Sequence, residues 1–183
     1  MRLIFKQVDL MQQYINMKSL VVFLGLFLLI GVFFFDKPLD KNAVIDYIEV
    51  DKSKRSMYVY QDGELLKKYK IALGFNPNGK KEFQGDGKTP EGVYYINDKN
   101  PNSVAYKNLG ISYPNKEDLD NAKANNKSAG GDIKIHGLMK KWYKFGMFHR
   151  HIDWTAGCIA VSNSEIDELY NHVKIGAKIK IIE

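Results

Sequence analysis

A chain of 183 residues with 45% apolar and 13% aromatic side chains can fill one globular core and scarcely two. Its formal net charge of +6 comes from 27 Lys and Arg spread against 21 Asp and Glu. That reads as a solvated surface tolerant of anionic neighbours; no basic block demands nucleic acid, and none is assigned as a partner.

From Leu20 to Phe35 run sixteen residues without a polar side chain, preceded by Lys18 and Ser19 and closed by Asp36. At about 1.5 Å per residue a helix there covers roughly 24 Å, short of the roughly 30 Å hydrocarbon layer unless its flanks snorkel or the bilayer thins. A cleaved signal peptide therefore competes with an anchor. The end Val32-Phe33-Phe34-Phe35 lacks the small-x-small pattern of a cleavage site, which favours an uncleaved signal-anchor. Arg2, Lys6 and Lys18 precede the segment against a single acid, Asp9. The positive-inside asymmetry then makes residues 1–18 a cytoplasmic tail and 19–36 a single membrane pass, with the remainder outside. Met17-Lys18-Ser19 also fits a start site. Residues 37–44 are expected as a polar linker and 45–183 as one domain.

Ile45 to Val50 and Met57 to Tyr60 are rich in β-branched and aromatic residues and are expected as strands. Asp62-Gly63 marks the hairpin turn that returns the chain along Leu65 to Leu73. The following Gly85-Asp86-Gly87-Lys88-Thr89-Pro90 contains GKT, which invites a nucleotide-binding reading. A phosphate-binding loop, however, needs a glycine where Glu82 stands and a helix where Pro90 biases Thr89 away from helical angles. A tight turn feeding a strand over Gly92 to Ile96 accounts for the glycines and the proline. Between Asn100 and Gly131, Pro, Asn, Gly and Lys predict a long irregular insertion with one short helix after Pro114. Ile133 to His136 alternates as a half-buried strand does. Ser162-Asn163-Ser164-Glu165 forms a capping box ahead of Ile166, Leu169, Tyr170 and Val173 at helical spacing up to Gly176, and Ala177 to Ile182 supplies a last strand. The pattern predicts a mainly β, β-rich α+β domain with a capped C-terminal helix.

The single cysteine, Cys158, excludes an intrachain disulfide; it is either a small buried core residue or a reactive thiol. His136, His149 and His151 precede it, whereas His172 belongs to the terminal helix as a surface side chain. Zinc held by His136, His149 and His151 is one arrangement, but neither CxxC nor HExxH spacing is present, and no metal or cofactor is assigned. A Cys–His pair is the stronger reading, because the thiolate is the nucleophile and needs an imidazole or a positive field to form near neutral pH. His136 ends a strand, and Cys158 follows the small-residue turn Thr155-Ala156-Gly157. Gly157 lets the backbone approach a substrate, and adjacent N–H groups there are suited to an oxyanion. A structural thiol with a structural imidazole is the competing reading. The run Lys140-Lys141-Trp142-Tyr143-Lys144-Phe145, with Trp154, either walls a substrate groove or forms a partly buried loop.

Ile135-His136-Gly137 and Thr155-Ala156-Gly157-Cys158-Ile159-Ala160-Val161-Ser162-Asn163 resemble the catalytic signature of the YkuD-type L,D-transpeptidase family. The blocks GELLKKYKIALG, GDGKTPEGVYYI, GISYPN and GGDIKIHG resemble it in the same order, over roughly residues 45–183. The resemblance implies a mixed β-sandwich in which Cys158 attacks and His136 accepts its proton. The carbonyl of Gly137 would orient the imidazole, and the N–H groups of Gly157 and Cys158 would hold the oxyanion. It implies peptidoglycan stem peptides as substrate, attacked at the diaminopimelate carbonyl before a terminal D-Ala, on the periplasmic or outer side of a bacterial inner membrane. The thioester is resolved by an amine in a transpeptidase, or by water in a carboxypeptidase or hydrolase. A non-catalytic wall-binding module is the alternative of a different class.

Two positions depart from the pattern of many members, which carry His where Ala156 stands and Arg where Ala160 stands. His149 and His151 are candidates for the missing imidazole, and Arg150, Lys140 and Lys141 for the missing charge on a substrate carboxylate. His149, Arg150, His151, Trp154 and Thr155 make up the expected substrate-binding set.

Overall fold

Three strands open the domain as an antiparallel meander, β1 (Ile45–Asp51), β2 (Ser56–Gln61) and β3 (Glu64–Lys70). This computed structural model describes residues 37–183, save the side chains of Lys141, Trp142, Lys144, Phe145 and Met147. The tail and signal-anchor expected at 1–36 lie outside the described residues; among the described residues no helix is long and apolar enough to cross a membrane. The β2–β3 turn is Asp62-Gly63, both at positive φ (50° and 87°), the primed geometry whose twist suits a two-residue hairpin. Ile45, Ile48, Val50, Met57, Val59 and Tyr69 are fully buried and give the meander its apolar face.

The remaining strands are β4 (Gly92–Ser103), β5 (Tyr106–Ile111), β6 (Lys134–His136), β7 (Ile159–Ala160) and β8 (Val173–Ile182). They join the meander in one sheet of order β3-β2-β1-β8-β4-β5-β6-β7. β8 is the central seam, parallel to β1 and antiparallel to β4. At the far end the sheet closes on itself: Ala72, just past β3, exchanges hydrogen bonds of 2.9 and 2.8 Å with Ala160 of β7. The eight strands thereby wrap one connected apolar core, drawn from both halves of the sheet and from Ile166 and Leu169 of the last helix.

The expected irregular insertion contains more order than its composition announces. β4 runs on to Ser103 and turns back as β5, and register shifts between Ile96 and Asp98 and between Asn100 and Ser103 spoil the period-2 pattern that would have disclosed the hairpin. The short helix after Pro114 is α1 (Lys116–Ala124), N-capped by Asn115 with Asp118 completing the box. Asp118 also accepts a 2.9 Å bond from the Tyr94 hydroxyl, which ties α1 to β4.

α2 (Asn163–His172) has the expected box between Ser162 and Glu165, but it stops four residues short of Gly176. Val173 and Ile175 are β-branched and favour an extended chain, and Val173 pairs with Ile45, so the last strand begins there. The pairing shifts before Tyr47 meets Lys178, and Gly176 at φ 85° takes up the irregularity.

Candidate active site

β6 and β7 lie parallel, with Ile135 opposite Ile159 and His136 opposite Ala160. Ile135 and Ile159 point into the core and are fully buried. Their neighbours His136 and Cys158 point the other way, and both line a cavity of about 370 Å³ whose wall also holds Asn108, Asp132, Lys134, Met139 and Trp154. The Trp154 ring packs edge-on against the imidazole, centroids 5.7 Å apart.

His136 Nδ1 lies 2.7 Å from the carbonyl oxygen of Gly137. A carbonyl only accepts, so Nδ1 carries the proton and Nε2 is left with its lone pair, as a general base requires. The Gly137 carbonyl, expected to orient the imidazole, lies within hydrogen-bond distance of Nδ1. The lack of a side chain at Gly137 is also required: a Cβ would stand 2.7 Å from Asn163 Oδ1 and 3.0 Å from Ile166 Cγ2. Asn163 Oδ1 accepts the Leu138 N–H at 2.8 Å, so the first residue of α2 holds the backbone that holds the imidazole.

The turn before Cys158 is stitched to the segment after β3. Asp153 accepts the Leu73 N–H at 2.9 Å and pairs with the Arg55 guanidinium at 2.8 Å. Thr155 exchanges backbone bonds with Leu73 and Phe75. Behind it lies the GDGKTP block. Thr89 Oγ1 accepts the Gly74 N–H at 3.0 Å, and Asp86, paired with buried Lys81 at 2.6 Å, gathers the N–H groups of Glu82, Phe83 and Lys88. The glycine-rich loop thus supports the turn that carries Cys158.

Gly157 sits at φ 134°, and a Cβ there would meet the Lys88 carbonyl oxygen at 2.7 Å. Its amide, expected at an oxyanion, donates instead to Thr155 Oγ1 at 3.1 Å, while that hydroxyl donates to the Cys158 carbonyl at 2.7 Å. An oxyanion would have to compete with Thr155 for the Gly157 N–H, because one donor serves one strong acceptor.

Burial pushes the Cys158 thiol up, against the downward pull of the Lys134 backbone N–H and the charges of Lys134 and Lys81. The S–H lies 3.6 Å from the Asp132 carbonyl oxygen, a thiol's donor geometry. Burial also holds His136 below the usual imidazole value, with the Gly137 carbonyl opposing and the Lys134 charge assisting. Both shifts favour the neutral forms, thiol and imidazole. Alkylation by iodoacetamide is therefore expected to keep accelerating above pH about 8.5, the ordinary thiol range. A rate plateau reached near pH 6 would reveal a preformed thiolate–imidazolium pair instead.

The expected substrate-binding set divides. Trp154 and Thr155 line the cavity with Cys158. Arg150 and His151 line a different cavity, of about 320 Å³, with Lys54, Arg55 and Lys70, and Arg150 is engaged by Glu165. The 3-10 stretch over Lys140–His151 that carries them is interrupted at Gly146 (φ 46°). Lys140 is exposed and does not line the Cys158 cavity. His149 is buried, 4% exposed, with neither ring nitrogen hydrogen-bonded. His136, His149 and His151 therefore do not form a common metal-binding group among the described residues.

Burial holds His149 down to about 4, with the Arg150 charge second. Its folded value lies below the unfolded value of about 6.5, so its contribution to stability is complete above pH 6.5 and is lost as pH falls through 4. His149→Met is expected to flatten the loss of stability between pH 6.5 and 4 by on the order of 2 kcal/mol. Urea titrations of both proteins across that window check it; parallel pH curves would refute it.

The sequence expectations passed over Asp132 and Lys134. Lys134 was within reach, since it lies two residues before His136 on an alternating strand and so shares its face. On its other side Cys158 borders a second cavity, of about 410 Å³, walled by Lys81, Gly85, Gly130, Gly131 and Asp132. Ala156, standing where many members carry histidine, is exposed and lines both cavities. Ala160 is fully buried within β7, and the cation in the Cys158–His136 cavity wall is Lys134.

The model of the YkuD family, L,D-transpeptidase catalytic domain, matches residues 45–181. YafK of Escherichia coli strain K12, a proposed L,D-transpeptidase, is 31% identical over 134 residues, 69% of this chain and 46% of its own length. The chain thus spans about half the length of that curated relative. Among solved structures, the helical cell shape determining protein Pgp2 of Campylobacter jejuni is 26% identical with a TM-score of 0.59, over 78% of this chain and 49% of that one. An L,D-transpeptidase of Mycobacterium smegmatis shares the fold at 16% identity and a TM-score of 0.50, over 75% and 58% of the two chains. By the extent of the family match and the fold it predicts, the chain belongs to the YkuD family of L,D-transpeptidase catalytic domains.

Proposed function

We propose that this chain is a cysteine acyl-transfer enzyme of the bacterial cell wall, anchored in the inner membrane by residues 19–36 with its catalytic domain on the outer side. The observation that carries the proposal is the shared cavity of Cys158 and His136, with Nδ1 tied to Gly137 and Nε2 left as base. The substrate class follows the family, and the name of the Campylobacter jejuni relative, helical cell shape determining protein, supports a target in the shape-bearing polymer.

In the first step His136 Nε2 takes the thiol proton as Cys158 Sγ bonds to the diaminopimelate carbonyl carbon of a stem peptide. The C–N bond to terminal D-Ala then breaks, and the leaving amine takes the proton from the imidazolium, giving a thioester and free D-Ala. In the second step an amine, deprotonated by the same imidazole, displaces the thiol and forms a new amide. The second cavity at Cys158 provides room for that acceptor. Water in its place gives carboxypeptidase or hydrolase chemistry, a second reading favoured by the small, exposed Ala156 beside Cys158.

Full-length protein in detergent, given a tetrapeptide with and without an amine acceptor, is expected to show the thioester by intact mass. A cross-linked product when acceptor is present supports transfer, and shortened peptide alone supports hydrolysis. Absence of any adduct, or activity lost to EDTA but not to thiol alkylation, would overturn the proposal.

A further inference from the structure

Resting on the acyl-transfer reading, we infer that the Lys134–Asp132 ion pair is a recognition clamp for a zwitterionic amino-acid centre, one carbon bearing both an ammonium and a carboxylate, at the end of a substrate side chain. Lys134 and Asp132 line the cavity that Cys158 and His136 share, and Lys134 Nζ lies 2.6 Å from Asp132 Oδ1. Their backbones touch the nucleophile: the Asp132 carbonyl is 3.6 Å from Sγ, and the Lys134 N–H acts on the same sulfur. Both residues' backbones are therefore placed beside the sulfur, and their paired side chains reach into the same cavity.

Stability does not account for the pair. It is open to solvent, 29% for Lys134 and 82% for Asp132, where an ion pair contributes about 0–1 kcal/mol. Asp132 also holds φ 61°, a left-handed conformation that costs a side-chain-bearing residue about 1 kcal/mol, directly after Gly130 and Gly131. The fold accepts that cost next to its nucleophile.

The pair's charge pattern selects among ligands. A lone carboxylate would pair with Lys134 and strand Asp132; a lone ammonium would do the reverse. A zwitterion inserted between them re-pairs both, carboxylate to Lys134 and ammonium to Asp132, with no change in net charge. Competing cations are committed or absent: Lys134 is the one Lys or Arg among the described residues of that cavity's wall, and Lys81 in the neighbouring cavity is closed in its buried pair with Asp86. The cation sought for the place of Ala160 is thus two residues upstream of the base.

The test uses full-length protein in detergent and three tetrapeptides that differ only at the third side chain. One ends in the zwitterion of meso-diaminopimelate, one in its side-chain carboxamide, and one is lysine, with an ammonium alone. The readout is the second-order rate of Cys158 thioester formation by intact mass. Wild type is expected to favour the zwitterionic peptide about tenfold or more, the scale of a charge-assisted hydrogen bond. Lys134→Met should bring that ratio to within about twofold, mainly through a raised half-saturation concentration, and Lys134→Arg should retain it. Because rates are compared as ratios within one variant, any change in thiol basicity cancels. Asp132→Asn should weaken all three ammonium-bearing peptides and spare an N-acetylated one. Equal wild-type rates with the three peptides, or an undiminished ratio in Lys134→Met, would overturn the clamp while leaving acyl transfer intact. If none of the peptides acylates wild type, acyl transfer itself fails and the clamp with it.

Discussion

Cys158→Ala is expected to lower thioester formation and peptide turnover by at least about 10⁴-fold, because the nucleophile acts in a unit whose other members cannot replace it. The thiol's contacts are weak ones, to the Asp132 carbonyl and the Lys134 N–H, so the variant should melt within about 1 kcal/mol of wild type. Chemistry and folding are then cleanly separated. Cys158→Ser should restore little, since an alcohol is far harder than a thiol for one imidazole to deprotonate. The measurement is intact mass of the protein after exposure to tetrapeptide, together with chromatography of released D-Ala. Turnover retained by Cys158→Ala would place the reaction on other residues and end the cysteine mechanism.

The largest structural effect is expected at Gly74. It is buried where three backbone segments cross behind the nucleophile, and a Cβ there would stand 2.1 Å from the Gly87 carbonyl oxygen and 3.1 Å from Gly157 Cα. These are main-chain atoms, pinned by the Thr89 and Thr155 bonds, and cannot swing aside as a side chain would. Gly74→Ala should cost about 3 kcal/mol or more, a fall in melting temperature of about 10 °C, and should slow acylation by displacing the turn that carries Cys158. Gly131→Ala is the control: its nearest neighbour beyond the chain is Pro114 Cδ at 4.0 Å, so less than about 1 kcal/mol is expected. Equal melting temperatures for Gly74→Ala and wild type would show that the crossing is not close-packed.

The pair at the centre of the site was legible because its signals are local. Alternation across Ile133 to His136 assigns the strand, and Thr155-Ala156-Gly157 announces a turn where only small residues fit. The capping box of Ser162 and Glu165 is local in the same way. The β4–β5 hairpin was hidden by its bulges, because register shifts destroy the periodicity from which a strand is read. Arg150 and His151 line the cavity of Arg55 and Lys70 instead of the one at Cys158, because closeness in sequence to Cys158 does not set which cavity a side chain enters. Asp153 is silent in sequence altogether, since its meaning comes from Arg55 and Leu73, brought to it by the sheet.

The closure of the sheet at Ala72 and Ala160 also bears on when the enzyme becomes competent. β7 is two residues long, far too short to stand alone, and it is held on one side by β6 and on the other by Ala72. These are contacts between distant parts of the chain, the kind whose loop-closure cost delays them during folding. The turn that carries Cys158 leads directly into β7, so its alignment with His136 matures with the final wrapping of the domain. A nascent chain would carry its thiol in an inactive setting throughout synthesis, and the appearance of acylation would mark the completion of the native fold.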